Sequence, residues 1–254
     1  MGAGHAHRLY VERDSVVHAL PPQVKLVAAL AFVLAVVSTP HEQAWAFAGH
    51  ALLLAGVVAV ARVPASTVLR RMVVELPFVA FALLMPFVVR GERTEVLGVS
   101  VSVAGLWAAW NLLAKATLGV VASILLAATT DLRDLLVGLE RLRMPGLIVQ
   151  IMSFMIRYGD VIADEMRRMR IARESRGFEA RDARAIPVVA RSAGALFIRS
   201  YERGERVHLA MLSRGYDGAM PVTREVVAGR RQWLTGLALP AVALALTLTA
   251  WTQA

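Results

Sequence analysis

Five apolar stretches, each long enough or nearly long enough to cross a lipid bilayer, constrain the fold of this chain more than any other feature. A transmembrane helix needs about 20 predominantly apolar residues. The stretches that approach this length are 24–38, 44–61, 73–89, 106–128 and 233–251. Hydrophobic residues make up 57% of the chain and charged residues only 19%, which excludes a disordered chain and disfavours a soluble enzyme. The sequence predicts an all-α, polytopic membrane protein with about five transmembrane helices.

The segment between the fourth and fifth apolar stretches has a different composition. Residues 131–231 hold 19 of the 28 basic residues and 13 of the 19 acidic residues. This predicts a polar helical domain inserted before the last span. The predicted divisions are an N-terminal segment at 1–23, membrane helices 1–4 at 24–128, a cytoplasmic helical domain at 129–231, and the last membrane helix at 232–254.

The distribution of basic residues predicts the orientation in the membrane. A cytoplasmic N-terminus places 25 of the 28 basic residues inside, in agreement with the positive-inside rule, whereas the opposite orientation places them outside. The net charge of +9 therefore needs no nucleic-acid partner to explain it. We expect Lys25, near the start of the first span, to extend its ammonium group to the interface. The chain is predicted to be a multi-pass protein of the inner (plasma) membrane with its N-terminus in the cytoplasm.

Three helices are predicted within the polar domain. The first runs from an N-cap at Thr130 to about Arg143, the second covers 147–176, and the third follows Pro187 and ends at Gly215. The stretch 147–156 is apolar on nearly all sides, which predicts burial in lipid or in protein and leaves both open. Outside this domain, alternating residue types at 96–103 predict a short β-hairpin.

The same four-residue pattern ends the second and third of these helices, 38 residues apart. In each copy an arginine occupies the last turn, a glycine follows as a helix stop, and an aromatic residue follows the glycine. An arginine at a helix C-terminus can simply complement the helix dipole. Two copies favour docking, in which a guanidinium binds a partner's carboxylate through paired hydrogen bonds and the aromatic residue packs as an anchor. The copies are Ser175-Arg176-Gly177-Phe178 and Ser213-Arg214-Gly215-Tyr216.

With these helix ends, the chain resembles the transmembrane T component of an energy-coupling factor (ECF) transporter, in particular the cobalt-type, CbiQ-like family. The family's two Ala-Arg-Gly-like motifs fall on Ser175-Arg176-Gly177 and Ser213-Arg214-Gly215, with serine in place of alanine in both. The resemblance covers most of the chain. It also rests on the segments 15–26, 38–40, 128–131, 157–158, 164–165, 199–203 and 214–218.

The resemblance implies a non-catalytic scaffold for the import of cobalt or nickel ions. Residues 129–231 would be a coupling-helix domain that links ABC-type ATPase subunits to a substrate-binding membrane subunit within the lipid bilayer. Arg176 and Arg214, with the residues beside them and Tyr216, would engage acidic groups of the ATPases. ATP and Mg²⁺ would belong to those partners, and no cofactor is expected on this chain. The chain itself has no P-loop glycine pattern followed by Lys-Ser or Lys-Thr.

Two ionisable residues inside the predicted spans are candidate intramembrane polar sites. Glu75 and Lys115 lie in the third and fourth stretches, where a charge is costly and is usually paired or functional. Pairing with Glu75 and extension of Lys115 to the interface both remain open.

Other functions find less support in the sequence. A self-sufficient secondary transporter is the alternative, but it needs midplane polar groups, of which only Glu75, Asn111 and Lys115 qualify, and often an inverted repeat, which is not evident. A membrane-embedded enzyme would need a compact catalytic set, and none is evident. His5 and His7 are the only close pair among the six histidines, and the chain has no cysteine, so no metal site is predicted.

Overall fold

The computed structural model describes residues 9–96, 99–178, 185–218 and 228–253. These residues form two compact units. The membrane unit comprises described residues 9–142 and 228–253, and the hairpin unit comprises described residues 143–178 and 185–218.

Helices dominate both units, and they are numbered here in chain order. The hairpin unit contains α8 and α9, and the membrane unit contains the others. A 3-10 turn at Met72–Glu75 joins α4 to α5, and two antiparallel strands, β1 (Arg93–Val96) and β2 (Val99–Ser102), lie between α5 and α6. The helices are α1 (Val16–Ala19), α2 (Pro22–Ser38), α3 (Ala44–Ala61), α4 (Ala65–Arg71), α5 (Leu76–Val88), α6 (Val103–Thr129), α7 (Leu132–Arg141), α8 (Gly146–Glu174), α9 (Ile186–Leu212) and α10 (Arg230–Thr252).

The prediction of an all-α, polytopic membrane protein is confirmed. Within the described chain, five helical segments are long and apolar enough to span a bilayer: α3, the continuous segment α4–α5, α6, α8 and α10. Four of these contain predicted spans. The predicted first span lies in α2, which is apolar but has only 17 residues, and α8 is the additional long helix.

The third spanning segment begins earlier than the sequence predicted. It starts at Ala65 rather than at residue 73, directly after an N-cap at Pro64 whose backbone is extended. Arg70 and Arg71 therefore lie in the last turn of α4, inside the spanning segment, and not in a loop. The spanning segment therefore carries two cationic side chains.

Glycines allow the closest helix contacts in the membrane unit. A Cβ atom on Gly236 of α10 would collide with the buried side chain of Val24 on α2. A Cβ atom on Gly105 of α6 would lie 2.6 Å from the carbonyl oxygen of Met85 on α5. Small residues at such positions let helices pack closely where lipid provides no hydrophobic driving force between them.

The short helix α7 packs against α2 and belongs to the membrane unit. The close contact is at Gly138, where a Cβ atom would lie 3.0 Å from the backbone nitrogen of Gln23. The N-cap of α7 is Asp131, whose carboxylate accepts a hydrogen bond from the Leu132 amide at 2.6 Å. The predicted N-cap at Thr130 is therefore wrong by one residue, since the aspartate makes the capping bond itself. The hairpin unit is narrower than the domain predicted at 129–231, whose cytoplasmic placement stays a prediction.

Candidate functional site

The two Ser-Arg-Gly-aromatic segments have the same backbone geometry. Gly177 and Gly215 take φ angles of +77° and +82°, in the left-handed region that glycine adopts without a steric penalty. After α8, the Phe178 amide donates to the Arg173 carbonyl at 3.1 Å and the Gly177 amide donates to the Glu174 carbonyl at 3.0 Å.

The end of α9 repeats this pattern. There the Tyr216 amide donates to the Met211 carbonyl at 3.1 Å and the Gly215 amide donates to the Leu212 carbonyl at 3.0 Å. Both ends are therefore Schellman motifs, which satisfy the last helix carbonyls and fix the direction in which the chain leaves.

The serines that replace the family's alanines are used locally. Ser175 donates its hydroxyl to the Ala172 carbonyl at 3.1 Å, and Ser213 donates its hydroxyl to the Ala210 carbonyl at 3.0 Å. Both hydroxyls satisfy carbonyl oxygens of their own last turn. The change from alanine to serine therefore leaves the shape of the two helix ends intact.

Arg176 and Arg214 are both exposed at these ends. Among the residues that the structure describes, neither guanidinium forms an ion pair within the chain. Each guanidinium thus presents its donors in a fork that matches a carboxylate, on a backbone held by its own hydrogen bonds.

The aromatic residue of the second motif is held within the hairpin unit. The Tyr216 hydroxyl donates to Oε1 of Gln150, in the second turn of α8, at 2.8 Å, and its ring meets the His208 ring edge-on at 6.5 Å between centroids. Tyr216 therefore anchors the end of α9 to the start of α8. Its predicted role as an anchor in a partner's pocket is not tested by this contact.

The same contact shows that the two arginines lie at opposite ends of the hairpin unit. Because Tyr216 pairs with Gln150 and α9 pairs with the middle of α8 through Glu165, the two helices are antiparallel. The 24 residues from Gln150 to the end of α8 correspond to about 36 Å at the usual helical rise. The arginines are thus separated by most of the length of α8.

Charges also join the two helices midway. Glu165 of α8 accepts hydrogen bonds from Arg199 and Arg203 of α9, each at 3.2 Å. Along α8 itself, Asp164 pairs with Arg167 at 3.4 Å. Glu165 instead reaches across to α9, which helix spacing alone does not reveal.

Large apolar surfaces of the hairpin unit remain uncovered. Met155 on α8 is 68% exposed and Phe197 on α9 is 71% exposed. A groove of about 510 Å³ runs between the helices and is lined by Ile151, Phe154 and Val207 among others. Within the part of the chain that the structure describes, the nearly all-apolar stretch 147–156 is therefore mostly exposed or half-buried, and Val149 is its buried residue. Exposed surfaces of this kind mark contact sites for lipid or for another protein.

The two candidate polar residues of the membrane unit do not form a pair in the described chain. Glu75 is buried at the end of the 3-10 turn, and its carboxylate accepts a hydrogen bond from the Thr117 hydroxyl of α6. Lys115 forms no ion pair with any described residue. Glu75 and Thr117 therefore connect α5 to α6, and Lys115 lies apart from them.

The sequence analysis did not predict a hydrogen-bond network in the membrane unit that joins residues 11–25 to the end of α6. It is called here the N-terminal network. Lys25 is only 8% exposed, and its ammonium group donates to the Thr129 carbonyl at 2.7 Å and to the His18 carbonyl at 3.2 Å. The expectation that Lys25 extends away from the protein to the interface is wrong, because its ammonium group is buried and donates hydrogen bonds to carbonyls at the ends of α6 and α1. The Val11 amide adds a bond to the Ala128 carbonyl at 2.9 Å.

His18 completes the N-terminal network. Its Nε2 donates to the Val11 carbonyl at 3.0 Å, so its Nδ1 accepts the Ser15 hydroxyl at 2.7 Å in the neutral tautomer. Burial lowers the pKa of His18 below its ordinary value of 6.5. The signal in the sequence is Ser15, an N-cap three residues before His18, which fixes the turn that holds the imidazole.

No group of three or more His, Asp or Glu side chains that could hold a metal ion occurs among the described residues. His5 and His7 lie outside the described residues.

Several proteins similar to this chain are named as transport proteins. Residues 13–224 match the family model described as CbiQ, cobalt transport protein. The energy-coupling factor transporter transmembrane protein EcfT of Thermanaerovibrio acidaminovorans is 30% identical over 85% of this chain and 84% of its own length. EcfT of Bacillus selenitireducens is 28% identical over 82% of both chains. The cobalt transport protein CbiQ of Rhodobacter capsulatus is 32% identical, over 38% of this chain and 40% of its own length.

The family match covers more than four fifths of the chain and includes both Arg-Gly helix ends. It confirms the predicted resemblance: this chain is a multi-pass membrane protein that belongs to the CbiQ family of cobalt transport proteins.

Proposed function

We propose that this chain is the transmembrane coupling subunit of an ATP-driven ECF-type importer. The observation that carries the proposal is the pair of matching helix ends, each with an exposed arginine, at opposite ends of one helical hairpin. One end would dock in each of two ABC-type ATPase subunits. The similarity to two EcfT proteins over more than four fifths of their length supports this assignment.

The docking chemistry follows from the side chains. Arg176 and Arg214 each form charge-assisted hydrogen bonds to acidic groups of an ATPase, and each Schellman motif fixes the local backbone that carries its arginine. When ATP closes the ATPase dimer, the two bound ends are displaced, and α8 and α9 carry the displacement toward the membrane. ATP and Mg²⁺ bind to the ATPases, and this chain contributes no catalytic residue.

A substrate-binding membrane subunit is the other proposed partner. The exposed apolar faces of α8 and α9 provide surface for a hydrophobic partner, and a transported ion would be held by that partner. Cobalt is favoured as the transported ion by the description of the family, with nickel as the close alternative. The excess of basic residues on one side supports a cytoplasmic N-terminus and a cytoplasmic hairpin unit.

The experiment that tests the proposal is co-purification in mild detergent with an ATPase and a substrate-binding subunit expressed together with this chain. Arg176→Ala combined with Arg214→Ala should lose the ATPase while the chain remains folded, and reversal of both charges to glutamate should be more severe. The matched control is Arg168→Ala combined with Arg191→Ala, which removes two exposed arginines from the middle of α8 and the start of α9.

The outcomes separate the two candidate functions. Loss of the ATPase only in the Arg176/Arg214 variant supports docking through the helix ends. Equal loss in both variants would reduce the effect to net charge. A well-folded wild-type chain that transports without any ATPase would return the secondary transporter to first place.

A further inference from the structure

A groove in the membrane unit lies between the α4–α5 segment and α6. It has a volume of about 570 Å³ and follows α6 from Lys115 to Ala127, which is about 18 Å at the usual helical rise. Most of its lining is apolar, including Phe78 and Ile124. Val73 and Val74, which also line it, are more than 60% exposed, so the groove opens at the surface of the membrane unit. We call it the α4–α6 groove.

Three cationic side chains line the α4–α6 groove: Arg70, Arg71 and Lys115. None of the described residues that line it is acidic. Glu75 lies near in the chain, but it is buried, receives a hydrogen bond from Thr117, and is not part of the lining. The groove therefore combines basic side chains with an apolar wall.

We propose that the α4–α6 groove binds an anionic phospholipid of the surrounding bilayer. The phosphate contacts Arg70 and Arg71, the Lys115 ammonium group extends toward it from deeper in the groove, and an acyl chain lies along Val74 and Phe78. A phospholipid matches both halves of the lining, since basic pockets between transmembrane helices bind anionic headgroups while the apolar wall accepts the hydrocarbon. A free phosphate ion would leave the apolar wall uncovered. This binding does not depend on docking by the hairpin unit.

The test uses the full chain, purified in mild detergent and depleted of lipid. Native mass spectrometry would compare binding of phosphatidylglycerol and phosphatidylcholine with identical acyl chains. We expect wild type to prefer phosphatidylglycerol. Arg70→Gln combined with Lys115→Gln should weaken phosphatidylglycerol binding about 30-fold, at roughly fivefold for each basic residue, and leave phosphatidylcholine binding unchanged.

The matched control is Arg90→Gln combined with Arg133→Gln, which removes two exposed arginines outside the groove. It should keep the preference of the wild type. If the double groove variant fails to fold, Arg70→Gln alone serves instead, because Arg70 is exposed, and about a fivefold loss is expected.

Three results would overturn the proposal. They are equal binding of the two lipids by wild type, equal loss in the groove and control variants, and displacement of phosphatidylglycerol by millimolar inorganic phosphate, which would indicate a simple anion site. If a co-purified membrane subunit blocks lipid binding at the α4–α6 groove, the occupant is that protein and not a lipid.

Discussion

The left-handed glycines at the two helix ends allow the coupling proposal to be tested without removing any charge. Gly177→Ala and Gly215→Ala force a residue with a Cβ atom into φ angles near +80°. This conformation costs a non-glycine residue about 1–2 kcal/mol. Neither position has other atoms within 4 Å of a new Cβ, so the cost comes from the backbone alone.

The magnitude for the pair follows from their separation. The two helix ends are too far apart to influence each other directly, so the costs should add to about 2–4 kcal/mol in the double variant. Each end would open about 5–30-fold more often than in wild type. The amides of Phe178 and Tyr216, which donate the longer of the two closing bonds, should exchange with solvent correspondingly faster.

Two measurements on the same samples check this reasoning. Hydrogen exchange reports whether the helix ends open, and the dissociation constant of the ATPase in mild detergent reports the consequence for docking. Gly177→Asn and Gly215→Asn should retain much of the affinity, because asparagine tolerates the left-handed region. Gly194→Ala and Gly204→Ala are the controls within α9, where space surrounds the glycine, and alanine should be neutral or slightly stabilising.

Faster exchange at Phe178 and Tyr216 combined with unchanged ATPase affinity would refute the argument that fixed helix ends position the arginines. Slower or unchanged exchange in the alanine variants would refute the energetic reasoning itself.

The N-terminal network gives two further predictions. Lys25→Met leaves the buried Thr129 carbonyl without its donor, so the free energy of unfolding should fall by about 1–3 kcal/mol. The measurement is a lower Tm, and an unchanged Tm would show that the N-terminal network is not stabilising. The pKa of His18 is lowered in the folded chain, so the unfolded chain binds a proton at His18 more readily than the folded chain does. The contribution of the neutral imidazole to stability is therefore complete above about pH 6.5 and is lost as the pH falls through the lower pKa of the folded chain. Amide exchange of residues 15–20 should accelerate below that pH in wild type and show no such dependence in His18→Gln.

Local sequence signals predicted the fold at positions where one residue type is strongly favoured in one backbone conformation. Glycine after an arginine predicted both helix ends, and each Gly does take the left-handed conformation. The spans followed from the length of apolar runs, but the start of the third did not, because Arg70 and Arg71 interrupt the apolar pattern while remaining helical. Charge alone cannot distinguish a loop from a helix that lines a groove.

Long-range pairing was the part that the sequence could not supply. The contact of Lys25 was missed because its acceptors are backbone carbonyls, one of them 104 residues away, and backbone carbonyls leave no pattern in a sequence. Glu165 pairs with residues of α9 that lie more than 30 positions further along the chain, a contact that the spacing within α8 does not predict. The proximity of such groups depends on the register between helices, which only the structure gives.

The way in which α8 and α9 hold each other bears on how they would transmit movement. Their described contacts include polar side-chain contacts at two positions along the helices. Tyr216 bonds to Gln150 near one end, and Glu165 pairs with Arg199 and Arg203 near the middle. Much of the apolar surface of both helices stays exposed. An interdigitated apolar seam resists sliding, because its side chains repack only in discrete steps. Long arginine side chains and a single tyrosine hydroxyl can instead stay bonded while the helix axes shift. A hairpin pinned in this way, with a rigid arginine-bearing end on each helix, is suited to changing its crossing angle when its two ends are displaced.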